Sequence, residues 1–120
     1  MKNPTNTFLG ILKIELQDLE DDLKQWIDIT EEKHQKQCIS HYVYLENLAV
    51  LKREIFGVNG IARQFEKMEP PRGETLDQLI EELKGIMAQE KISELLPEGV
   101  INMVLRKMEK VKDYVLKDSF

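Results

Sequence analysis

Two apolar seams constrain this chain more than anything else in it. Leu9, Leu12, Leu16, Leu19, Leu23 and Trp26 recur at spacings of 3-4-3-4-3. Tyr44, Leu48, Leu51, Ile55, Val58, Ala62 and Phe65 recur at 4-3-4-3-4-3. Such intervals place apolar side chains on one face of an α-helix, whereas a half-buried strand would alternate every second residue. The strict a/d form is that of a coiled-coil seam. Phe8, Ile27 and Ile29 widen the first stripe, and Ile39, Tyr42, Leu45 and Ala49 flank the second.

The seams set the expected elements. The first helix is read over residues 5–29, with Asn3-Pro4 or Thr5 to Thr7 serving as the amino-terminal cap. Asp28 followed three residues later by Glu31 has the form of a capping pair, so the second helix is read over 31–68. Asn59-Gly60 is a turn dipeptide, yet the heptad phase runs through Gly57 and Gly60 without a skip. The second helix is therefore expected to continue through both, with a kink allowed there. The stretch 69–75 (EPPRGET) is a break, because consecutive prolines stop a helix. Thr75 can cap the third helix, with Gln78 at its third position. That helix is read over 75–96, on Leu76, Leu79, Ile80, Leu83, Ile86 and Met87 and then Ile92, Leu95 and Leu96. Pro97-Glu98-Gly99 opens a last helix over 98–117, carrying Ile101, Val104, Met108, Val111 and Val115.

Four amphipathic helices with short connections imply a single all-α domain, an antiparallel helical bundle spanning residues 1–120. Charge fits that reading. Residues 1–32 hold three basic and eight acidic side chains, residues 33–67 six and three, residues 69–98 three and eight, and residues 99–120 five and three. Alternating sign suits neighbours that pair an acidic flank with a basic one, although each exposed pair contributes at most ~1 kcal/mol.

The net charge of −5 disfavours nucleic acid and anionic membranes as partners, since both need a cationic surface. The basic residues of the last helix (Arg106, Lys107, Lys110, Lys112, Lys117) are diluted by Glu109, Asp113 and Asp118, so pairing with a neighbouring helix is their simpler use. No apolar run approaches the ~18 residues that span a bilayer, and the start MKNPTNTFLG has no signal-peptide core. A cytoplasmic location is expected. One cysteine allows no internal disulfide.

The chemistry-bearing side chains concentrate in residues 31–44, EEKHQKQCISHYVY, which hold His34, Cys38 and His41. On one helix, His34 and Cys38 (i, i+4) or Cys38 and His41 (i, i+3) could chelate an ion. His34 and His41 would stand ~10.5 Å apart along that helix, so it would supply two ligands and not three. The chain has no further His or Cys to complete the set. Glu31-x-x-His34 has the form of one half of a di-iron carboxylate motif, but the second Glu-x-x-His unit is missing. A phosphate-accepting histidine is disfavoured by the apolar neighbours of His41, namely Ile39, Tyr42, Val43 and Tyr44. The acidic run DLEDD (18–22) reads as a solvated helix face. No phosphate-binding glycine loop and no nucleophile–base arrangement stands out, so no cofactor and no catalytic residue is expected. The reading that remains is a non-enzymatic interaction or adaptor protein. It would self-associate through its heptad seams, a dimer first, or receive a helical partner. A metal- or ligand-binding bundle centred on His34, Cys38 and His41 is the alternative.

Overall fold

The computed structural model describes residues 4–68, 75–89 and 98–118. They form four α-helices: α1 (Pro4–Gln35), α2 (His41–Glu66), α3 (Leu76–Ala88) and α4 (Glu98–Asp118). No strand occurs among the described residues, and none of their helices is long and apolar enough to cross a membrane. The all-α, four-helix class read from periodicity is the class observed.

The break between the first two helices lies at residues 36–40, not at 28–31. Asp28 and Glu31 sit inside α1. The Thr30 hydroxyl, which could have served a cap, donates instead to the Trp26 carbonyl at 2.8 Å. What ends α1 is Gln37, whose φ of 60° lies in the left-handed region. The Cys38 amide then donates to the Lys33 carbonyl at 2.8 Å and the Gln37 amide to the His34 carbonyl at 3.1 Å. This is the bond pattern of a Schellman cap, with glutamine where glycine is usual. Ser40 begins α2, its hydroxyl accepting from the Val43 amide at 3.1 Å. The second helix is thus 26 residues long, shorter than the 32-residue α1, and it runs unbroken through Gly57 and Gly60.

Thr75 and Gln78 form the expected capping box on α3, with bonds of 3.2 and 2.9 Å. The break at 69–74 and the continuation of the third helix through Ile92, Leu95 and Leu96 lie outside the described residues. Asn3, proposed as a first cap, does too.

The core draws on all four helices. Phe8, Leu12 and Leu16 of α1 meet Val58, Ile61 and Phe65 of α2, with Leu79 and Leu83 of α3 and Val100, Val104 and Met108 of α4. Leu9, Leu19 and Leu23 are buried as the seam requires. Glu20 is buried as well, and its carboxylate accepts from Asn59 Nδ2 at 3.0 Å. The DLEDD run is therefore not solvated throughout. Pairs across the hairpin step in opposite directions along the two helices, from His34/His41 at the turn to Glu20/Asn59 further down.

Ion pairs between helices join acidic segments to basic ones. Glu15 of α1 accepts from Lys107 at 3.1 Å and Lys110 at 3.2 Å, both on α4. Asp77 of α3 lies 3.4 Å from Lys112 of α4. These lysines serve neighbouring helices, the use their interleaved acids suggested.

The core stops short of the hairpin's end. No apolar residue of α1 beyond Leu23, and none of α2 before Gly57, reaches full burial. The molecule measures 55 × 32 × 18 Å, and its long axis matches α1, which spans ~48 Å at 1.5 Å per residue. The 13 residues of α3 span only ~20 Å and the 21 of α4 ~32 Å. Among the described residues, the hairpin of α1 and α2 outreaches the helices that pack on it.

Candidate functional site: the hairpin tip

The part of the hairpin on which no described helix completes the apolar core runs from Lys24 to Phe56. The seam residues on it do not share the fate of those below. Trp26 is 53% exposed, and Tyr44, Leu48, Leu51 and Ile55 are only half-buried, whereas Val58 and Phe65 are fully buried. The heptad pattern places all of them on one face. It carries no information about whether another helix lies over that face.

Two apolar surfaces result. On the first, exposed Trp26 stands one heptad beyond buried Leu19, while Thr30, one heptad beyond buried Leu23, is itself buried. Val50 and Val43 stand one and two heptads before buried Gly57. These residues continue, in heptad register, positions that are buried further down the hairpin. Here Trp26, Thr30, Lys33, Ile39, Asn47, Val50 and Leu51 line a shallow groove of ≈ 300 Å³. The second surface is the opposite side of α2, where Tyr42 is 70%, Leu45 50% and Phe56 68% exposed. The first half of α2 therefore presents large apolar side chains nearly all round, a pattern that belongs to a covered helix.

At the turn, His34 and His41 are not on one helix. The five-residue connection folds back, so His34 near the end of α1 faces His41 at the start of α2. His34 Nε2 and His41 Nδ1 are 3.2 Å apart. The His34 ring stacks on Tyr44, with centroids at 4.1 Å and planes 9° apart. The distance along a single helix, on which the sequence reading rested, does not apply. Cys38 is exposed on the connection, its Sγ 4.0 Å from the Lys36 carbonyl, and it does not join the histidine pair. Among the described residues, no three His, Cys, Asp or Glu side chains converge to hold a metal ion.

Two carboxyl groups lie off their ordinary values. The hydrogen bond from Lys107 lowers Glu15, with Lys110 adding to it against an opposing push from burial. Burial raises Glu54, on α2 where the core begins. Glu15 lines a shallow cleft with Ile11, Lys110, Val111 and Tyr114. A larger groove of ≈ 520 Å³ runs between α3 and α4, with Ile80, Met87, Leu105 and Met108 on its walls and Asp77 and Lys112 at its rim.

Compared with protein-family models, characterised proteins and solved structures, the chain gives no match.

Proposed function

We propose that the chain is a non-enzymatic interaction module that self-associates, the tip of one α1–α2 hairpin packing on the tip of a second copy. The observation that carries this reading is the uncovered continuation of the core face through Trp26, Val43 and Val50. Along the rest of the hairpin that face is filled by two helices of the same chain. A second hairpin offers two helices of matching period and apolar width. Two tips set face to face would repeat the four-helix packing of the body, in a self-complementary contact of the isologous kind.

Charge supports the same partner. Residues 24–56 hold five Lys or Arg and five Asp or Glu, while the whole chain carries −5. The excess negative charge thus lies outside the tip, and two tips meet without net repulsion. A desolvated tryptophan at the centre of such a face is the kind of residue that dominates interface energetics.

Trp26 is the only tryptophan in the chain, so it reports directly on the contact. Its emission is expected to shift to the blue as concentration rises from nanomolar to high micromolar. Val50→Glu should abolish the shift without loss of helical circular dichroism. Phe56→Ser, on the opposite side of α2, should leave it in place. An emission maximum that never moves with concentration would argue against self-pairing and leave the tip to a different helical protein.

A further inference from the structure

We propose that His34 and His41 form a two-histidine chelate for a borderline divalent transition-metal ion such as Zn²⁺ or Ni²⁺, closing the α1–α2 turn. The geometry is the argument. An ion bound tetrahedrally at ~2.0–2.1 Å from each imidazole nitrogen holds two ligand nitrogens ~3.3–3.4 Å apart. The facing nitrogens, His34 Nε2 and His41 Nδ1, already stand 3.2 Å apart. The separation needs to change by only a few tenths of an ångström, and both rings must turn so that the two lone pairs converge on an ion beside the line that joins the nitrogens.

The backbone on both sides of the turn and the ring of His34 are held, while the exposed His41 ring is free to adjust. The Schellman cap at Gln37 and the Ser40 cap fix the chain on either side of the turn. The stack on half-buried Tyr44 sets the plane of His34. When the pair is metal-free, one facing nitrogen donates its hydrogen to the other. When it is metalated, both facing nitrogens give lone pairs, and the hydrogens reside on His34 Nδ1 and His41 Nε2. Two neutral imidazoles thus remain neutral, and the change is one of tautomer.

The ligand type selects the ion. Imidazole suits zinc, nickel and copper, while calcium and magnesium require oxygen ligands. With two protein ligands, the other coordination positions go to water. The site is therefore an open, exchangeable one. It is independent of the self-association proposed above, since both ligands come from one chain.

The test is calorimetric titration of the metal-free chain with Zn²⁺ and Ni²⁺, compared with Ca²⁺. One ion per chain is expected for the first two and none for Ca²⁺. His34→Ala and His41→Ala should each weaken binding by more than ~10-fold, the smaller end of what even an outer-shell partner is worth. Cys38→Ser should bind as the parent does. Acidification should weaken binding, because protons compete for the same lone pairs. The chain has only two histidines, so its histidine ring signals in NMR give a second reading should an alanine variant unfold. Zn²⁺ must then shift the ring signals of both residues together. No binding by the parent chain, binding that survives either alanine substitution, or binding lost in Cys38→Ser would overturn the proposal.

Discussion

Gln37 is the residue on which the architecture of the hairpin turns. Its left-handed backbone costs ~1–2 kcal/mol in an L-residue, against ~0.5–1 kcal/mol of extra chain entropy for glycine. Gln37→Gly is therefore expected to stabilise the fold by roughly 0.5–1 kcal/mol, measurable by chemical denaturation. A loss of stability would mean that the side chain does something the cap geometry does not require. The two shifted carboxyls give opposite pH dependences. Glu15 sits below its ordinary value, so its contribution is complete above the unfolded-state pKa and fades as pH falls through the folded one. Glu54 sits above its ordinary value, so it favours folding only in acid and costs stability once pH rises through its folded pKa. Glu54→Gln should thus stabilise the protein at neutral pH, and the advantage should shrink on acidification. Thermal melts of the two proteins across pH 3–8 would check it, and a constant difference would contradict the sign.

At the scale of the helix, one seam yields two kinds of residue. Leu16 is a fully buried member of the four-helix core, and Leu16→Ala is expected to cost about 2–5 kcal/mol by denaturant unfolding. Phe56→Ala, at an exposed site on the tip, should change stability by less than ~0.5 kcal/mol. Equal losses would show that the tip is as firmly packed as the body. The buried Glu20 lies between Leu19 and Leu23, where the apolar core runs out, and Asn59 is its partner. Asn59→Ala should cost roughly 1–3 kcal/mol by leaving that carboxylate short of a donor.

These contrasts also mark what could be read in advance. The leucine seam from Leu9 to Leu23 was legible because period 3.6 leaves its mark wherever a face is buried. The end of α3 toward its amino terminus was legible because Thr75 and Gln78 carry a paired hydrogen-bond signature. The end of α1 was not, because glutamine in a left-handed cap has no glycine to announce it. Ser40 was the available signal, a cap residue just before an apolar run, hidden by a heptad phase that continues back past it. The exposure of Trp26 was illegible for another reason. Periodicity names the face a residue shares and says nothing of what covers that face. The nearness of His34 and His41 depended wholly on where the turn fell. Seven residues mean ~10.5 Å along a helix, but the same spacing across a hairpin turn brings side chains into contact.

For the whole molecule, the mismatch of helix lengths is the dominant fact. Among the described residues, a 32-residue and a 26-residue helix are packed by partners of 13 and 21 residues, and the difference in length leaves an apolar tip of balanced charge. Sedimentation equilibrium of the chain from low to high micromolar concentration tests the central claim most directly. Self-pairing of the tip requires a mass that rises toward twice 14.1 kDa and falls back to 14.1 kDa when Val50 is replaced by glutamate. A parent chain that stays at the single-chain mass at the highest concentration would contradict it.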